Sequence, residues 1–341
     1  MSAGGARVGH RPGNGESARE RACETRRVSR ERLISTVPGS RPEAFGPREW
    51  GLLAFSALVW GSSFLWIEYG LESFRPPVVT AARVGLGVLA LSMVPAARRT
   101  SIARDDWPRI AVLSLTWMAV PLLLFPIAQR HIDSSLAGML NGAVPLTTAL
   151  VTVLLLRRAP GRNQLVGLLV GFVGVICIAW PELRGADATA FGVVLCLVAV
   201  LLYGIGANVA VGLQQRYGAL PVLLRALGFA FVVVAPIGIA TLPGSDPEAG
   251  ALLALLPLGL LGTGWAYVAF TTLTGIAGAT RGAVAIYFTP VVAIVLGVMV
   301  RDEQVAGVSV FGAVLVIGGA WITSRREPAD LAAAERAAVC G

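Results

Sequence analysis

Lysine is absent from this 341-residue chain, histidine occurs twice, and charged residues make up only 14% of it. A soluble globular protein carries about 25% charged residues, so a soluble enzyme with a single core is excluded. The 28 basic side chains are all Arg, a trait we read as genome composition rather than chemistry. With only His10 and His131 available, no histidine-based metal cluster can form. Cys23, Cys177, Cys196 and Cys340 show no CxxC or other metal spacing and read as unpaired small residues. HExxH, GxSxG and P-loop patterns are missing, and no apolar segment carries a pair of carboxylates. No catalytic residue, cofactor or metal is therefore expected, and a membrane-embedded enzyme is poorly supported.

What the chain has is apolar length. Hydrophobic residues make up 55% of it and the mean hydropathy is +0.71. The charges are crowded: residues 1–50 hold ten Arg and six acids, whereas 51–324 hold 26 charges in 274 positions. A pI near 10.1 would suit nucleic acid. Here the Arg sit in the tail and at segment ends, so membrane topology explains them and no nucleic-acid partner is expected. Ten apolar spans are read, near 51–69, 77–96, 110–128, 134–156, 164–180, 190–212, 220–242, 251–273, 282–300 and 305–323. Each is long enough to cross a bilayer as a helix, and no period-2 alternation supports a barrel.

The expected fold is thus an all-α integral membrane protein with ten transmembrane helices. Ten crossings put both termini on one side. The loops and tail on that side carry Arg98, Arg99, Arg104, Arg109, Arg157, Arg158, Arg162, Arg216, Arg281, Arg325, Arg326 and Arg336. The opposite loops carry only Arg75, Arg130, Arg184 and Arg301. The positive-inside rule then places both termini in the cytoplasm of a bacterial cell whose plasma membrane holds the chain. Residues 1–48 form an Arg-rich tail without apolar periodicity, expected to be disordered and lacking the h-region of a signal peptide. One hypothesis makes this tail an over-extended reading frame; N-terminal sequencing that finds Met1 or Ser2 would sink it.

The two halves of the apolar region share landmarks at a near-constant offset. Trp60-Gly61 matches Tyr203-Gly204, Arg83 matches Arg225, Pro145 matches Pro290, and Gly167 and Gly174 match Gly312 and Gly319. Five spans per half is an odd number, so the second half enters the membrane inverted. Inverted repeats are a transporter signature, with the substrate held near the midplane at the repeat interface. The expected organisation is 49–181 as the first repeat, 189–324 as the second, and 325–341 as a cytoplasmic tail.

The stretch Leu58-Val-Trp-Gly-Ser-Ser-Phe64, the span-2 Arg83, and Gly278-Ala-Thr-Arg281 leading to Tyr287-Phe-Thr-Pro290 resemble the EamA family of the drug/metabolite transporter superfamily. So does Glu303 followed by Gly312 and Gly319. The resemblance covers about 50–324. It implies two inverted five-helix EamA-type repeats, a central cavity and small-metabolite transport, often export. One departure stands out: the acid seen as Glu303 is replaced in the first half by Arg158, so any pairing it makes is in doubt there.

The candidate substrate contacts follow from cost. Arg83 and Arg225 are the charges most clearly inside spans, where an ionisable group is expensive and defaults to function. They either clamp a substrate carboxylate or phosphate through paired hydrogen bonds or snorkel to the headgroups. Pro145 and Pro290 are expected to break spans 4 and 9, exposing backbone near Asn141, Tyr287 and Thr289, with a plain packing kink as the alternative. Trp60 and Ser63 on span 1, and Tyr203 and Asn208 on span 6, form a second tier against a packing reading. Thr263, Trp265 and Tyr267 on span 8 are weaker candidates. Glu68 is a proton-coupling candidate or a hydrated helix-end carboxylate. The cavity is expected between spans 1–4 and 6–9, with spans 5 and 10 at the periphery or in a homodimer contact. The expected function is secondary transport of a small-molecule substrate by alternating access, with membrane lipid as the surrounding partner. A non-transporting scaffold or signalling protein is the alternative from another class.

Overall fold

The computed structural model describes Val37, Ser40 and residues 44–132, 134–156, 160–183, 189–301 and 306–325. Most of the N-terminal tail, the C-terminal tail beyond Arg325, and both Glu303 and Arg158 lie outside the described residues.

Every regular element among the described residues is helical. In chain order they are α1 (Pro47–Ser73), α2 (Pro76–Ser92), the short α3 (Pro95–Arg99) and α4 (Arg104–Ala128). Then follow α5 (Ser134–Asn141), α6 (Val144–Leu156), α7 (Arg162–Leu183), α8 (Ala190–Tyr217) and α9 (Ala219–Thr241). The series ends with α10 (Ala249–Ala277), α11 (Ala279–Ala283), α12 (Phe288–Arg301) and α13 (Gly307–Ser324). Of these, α1, α4, α8, α9, α10 and α13 are each long and apolar enough to cross a membrane.

Local chemistry sets the boundaries. Proline opens α1, α2 and α3, where its missing N–H has no helical acceptor to lose. Gly218 and Gly278 take φ of 83° and 88°, left-handed values that turn α8 into α9 and α10 into α11 within one residue. Each donates its N–H to the carbonyl four residues back, at Gln214 and Thr274, over 2.7 Å. Inside α4 and α10 the ladder widens to π geometry over Ser114–Ala119 and Pro257–Trp265. Such bulges bend a helix and free local backbone groups.

The expected fourth and ninth spans are each interrupted. Pro145 stands second in α6 rather than mid-helix, so the break falls at Gly142-Ala143, just before it. Proline is tolerated at a helix start and disfavours helix immediately upstream, which moves the interruption there. In the second half, residues 284–287 form a 3₁₀ turn and Pro290 sits third in α12. The Thr289 hydroxyl donates to the Ile286 carbonyl (2.8 Å), the group that Pro290 leaves without its helical donor.

Packing pairs each element with one from the other half. The second helix α2 lies on the π segment of α10, and α9 on that of α4. Likewise α1 packs on α12, α8 on α6, and α7 on α13. The α7–α13 contact is close because both faces are glycine: a Cβ on Gly174 would meet the Gly312 carbonyl oxygen at 2.7 Å. The outward faces of this pair expose Leu169, Val173, Ile176, Phe311, Val314 and Trp321. The largest buried cluster draws on α4, α8, α9 and α10, around Leu113, Met118, Leu213, Leu223 and Phe270.

Candidate functional site

A cavity of about 50 Å³ lies midway along α1. Its walls are Trp60, Ser63, Phe64 and Ile67 of α1, Arg83 of α2, and Trp117, Leu122 and Phe125 of α4. Asn141 at the end of α5, Tyr203 of α8, Tyr267 of α10 and Ile286 of the 3₁₀ turn complete it. Thus the broken fourth and ninth spans both reach the cavity, through the residues that flank their breaks.

The aromatic side chains are held by a shared network. The Trp60 indole N–H donates to the Gly262 carbonyl at 2.9 Å, inside the π segment of α10. Its ring meets Tyr267 edge-on with centroids 5.2 Å apart, and Tyr267 meets Trp117 the same way at 5.1 Å. The Tyr267 hydroxyl donates to the Trp117 carbonyl at 3.2 Å, a group that the π segment of α4 presents. Tyr203 stacks on Phe125, which meets Phe64 edge-on, both at 5.8 Å. Gly206 lets Trp117 pack against α8, since a Cβ there would lie 2.6 Å from that of Trp117.

Two polar groups have unmet capacity. Arg83 is only 4% exposed, and its Nε donates to the Thr263 hydroxyl at 3.0 Å. Neither of its terminal nitrogens has a hydrogen-bond or ion-pair partner among the described residues, and no carboxylate is among the cavity walls. A guanidinium carries five donors, so a buried one with a single neutral acceptor is poised for an anion. Asn141 is buried, with 7% of the residue exposed, and its Oδ1 has no donor among the described residues. The cavity therefore offers fixed positive charge, one free acceptor and aromatic faces.

Of the residues singled out from sequence, Trp60, Ser63, Arg83, Asn141 and Tyr203 come together here, with Tyr267 from the weaker tier. Arg225, Asn208, Tyr287, Thr289 and Glu68 do not line the cavity. Arg225 reaches the opposite way, donating through Nη1 to the Ala97 carbonyl and through Nη2 to those of Thr100 (2.8 Å) and Arg98 (3.3 Å). No side chain of α9 lines the cavity, which departs from the expectation that span 7 would. The Asn208 amide bonds the Thr148 and Gly204 carbonyls and accepts from Thr152, tying α8 to α6. Tyr287 donates to the Leu168 carbonyl at 2.9 Å and packs on Gly171 of α7. Thr289 is occupied with Ile286, and Glu68 is exposed on α1 outside the cavity walls.

Trp117, Phe125 and Phe64 were not foreseen as walls, and Tyr267 only weakly. Their signal was faint because an aromatic in an apolar run reads as core or lipid contact. Gly206, unusual in the middle of a helix, was the sequence hint that α8 admits a large side chain.

The sequence model of the EamA-like transporter family matches residues 49–180 and again 190–325. An uncharacterized transporter of Archaeoglobus fulgidus is 22% identical over 283 residues, covering 82% of this chain and 99% of its own. A probable terminal-alkyne amino-acid exporter of Streptantibioticus cattleyicolor is 25% identical over 282 residues, covering 80% and 92%. The uncharacterized inner membrane transporter YedA of Escherichia coli K12 is 25% identical, covering 80% and 91%. A solved crystal structure aligns with a TM-score of 0.68 at 18% identity over 80% of this chain and 95% of that one, a likeness of fold.

Proposed function

The chain belongs to the EamA-like transporter family, and from that premise we propose that it exports a small amphiphilic carboxylate across the bacterial plasma membrane by alternating access. The observation that carries this reading is Arg83: a buried guanidinium with free terminal donors facing a cavity whose walls hold no carboxylate. At an effective dielectric near 20, a carboxylate 4 Å away gains about 4 kcal/mol of Coulomb energy. The substrate's apolar part would lie among Trp60, Trp117, Tyr203 and Tyr267, and a substrate N–H would satisfy Asn141 Oδ1. An α-amino acid has all three features. The amino-acid exporter among the relatives supports that class.

The proposed architecture is ten spans in two inverted repeats, 49–181 and 189–324, with both termini in the cytoplasm. The exchange of partners between halves supports it: α2 on the α10 bulge answers α9 on the α4 bulge, and α1 on α12 answers α8 on α6. With no ATP motif in the sequence, the energy comes from a gradient, either protons or the substrate's own. The α7–α13 pair, outside the cavity walls, is the surface for lipid or for a second copy.

Thermal unfolding of the purified protein against amino acids, the matching carboxylic acids without the amino group, and nucleosides tests the substrate class. A ligand that binds only the folded state raises the midpoint by mass action. Carboxylates are expected to raise it and nucleosides not, with the shift lost in Arg83→Gln. Retention of the carboxylate shift in that variant overturns the reading. Counterflow of a labelled carboxylate in proteoliposomes then separates transport from mere binding.

A further inference from the structure

At the end of the bundle where α1 begins, residues 93–103 connect α2 to α4, whose first turn carries Asp106. This connection is tied to α8 and α9 by side chains. Arg225 of α9 grips the carbonyls of Ala97, Arg98 and Thr100. The Asp106 carboxylate, 4% exposed, accepts from Arg216 Nη1 at 2.9 Å and from the Tyr217 hydroxyl at 2.5 Å, both at the end of α8. That hydroxyl also accepts the Ala103 N–H at 3.4 Å. At the other end, the ties between halves involve backbone groups: Asp246 N–H to the Ser73 carbonyl, Glu248 N–H to the Ser73 hydroxyl, and Thr189 N–H to the His131 carbonyl. Two ion pairs, with Arg109 and with Arg216, share the Asp106 carboxylate.

We infer that residues 97–106 are a releasable clip, pinned by Asp106 and Arg225 to α8 and α9, that holds this end of the transport path shut. Two features make it a clip rather than a fixed joint. Arg216 is 55% exposed, so water can replace its bond to Asp106. Arg109 stands three residues from Asp106 on the same helix, 3.4 Å away, and moves with it. When α8 and α9 withdraw, the carboxylate keeps that cation, and the penalty of an unpaired buried charge is avoided. The gating role rests on the transport reading; the clip itself does not.

The test separates the two. In a background with Cys23, Cys177, Cys196 and Cys340 replaced by Ser, Ala97→Cys places a thiol at a fully buried position beneath the Arg225 contact. Its labelling by a hydrophilic maleimide follows the population of the open clip. Asp106→Asn is expected to speed labelling about tenfold or more, and the milder Arg216→Gln a few-fold, because each lowers the opening free energy. Circular dichroism and size-exclusion profiles matching the parent confirm that both variants fold. Unchanged labelling in the folded variants overturns the clip. For the gate, Ala103→Cys and Tyr217→Cys are joined by a short bis-methanethiosulfonate, each thiolate displacing a sulfinate to form a disulfide with the linker. Counterflow is expected to stop and to return with reductant, while the carboxylate-induced thermal shift persists. Flux through the joined protein overturns gating. Absence of both flux and shift in the unjoined parent is failure of the transport reading, and the maleimide result still decides the clip.

Discussion

Arg83 and Arg225 hold matching places in the two halves of the sequence, yet their surroundings are opposite. Arg83 is buried with one neutral hydroxyl as partner, and its remaining donors face a cavity. Arg225 gives both terminal nitrogens to backbone carbonyls, of Ala97 and Arg98 in α3, of Thr100 just beyond it and of Pro221 in its own helix. On the proposed function, the same side chain serves binding in one half and structure in the other. What differs is not the arginine but what its neighbours present. The π segment of α10 offers Arg83 the Thr263 hydroxyl, whereas the end of the short α3 offers Arg225 carbonyls whose helical donors have run out.

Substitution sharpens this contrast. The largest expected effect is Arg83→Gln on function: loss of a charge-assisted pair lowers affinity for a carboxylate about 30- to 100-fold, or roughly 2–3 kcal/mol. The thermal midpoint of the ligand-free protein should hold or rise, because a buried charge without a counter-ion is removed. Saturation binding and a melting curve on the same sample check both halves of that statement. A large fall in the ligand-free midpoint would break the contrast.

Arg225→Gln is expected to do the reverse. It strips carbonyls at the end of α3 of their donor and lowers stability by about 1–3 kcal/mol. Its affinity for a carboxylate, read by thermal shift relative to its own ligand-free midpoint, should stay within about threefold of the parent, since α9 lies outside the cavity walls. Asn208→Ala belongs with it. Removing the amide that bonds Thr148, Gly204 and Thr152 is expected to cost about 1–2 kcal/mol of stability, read by denaturant or thermal unfolding.

The smallest effect falls on Asn141. Its Oδ1 has no donor among the described residues, so Asn141→Ala should leave the ligand-free midpoint nearly unchanged. Affinity for an amino acid should drop by roughly 1 kcal/mol, about fivefold, while that for the matching acid without the amino group stays put. Equal loss for both ligands would remove Asn141 from the recognition of a substrate N–H.

How far the sequence reaches can be judged residue by residue. Trp60, Ser63, Arg83, Asn141 and Tyr203 were legible as cavity residues, because a polar or amphipathic group in a long apolar segment has few reasons to be there. Tyr287, Thr289 and Asn208 carried the same signal, yet they serve helix contacts and broken backbone. Nothing in local sequence distinguishes a hydroxyl that caps the Ile286 carbonyl from one that waits for a ligand. Trp117, Phe125 and Phe64 were illegible for the converse reason, since an aromatic wall and an aromatic core have the same composition.

The sequence by itself determined that this chain is built of apolar helices, that its proline and glycine residues set where they start and turn, and which family it resembles. Those properties depend on neighbours within a few positions or on the summed hydropathy of about 20. Only the tertiary structure decided which arginine faces the cavity and that Asp106 is buried against α8. Each of these depends on what a helix from the other half presents at close range, and residues more than a hundred positions apart leave no local trace of their meeting.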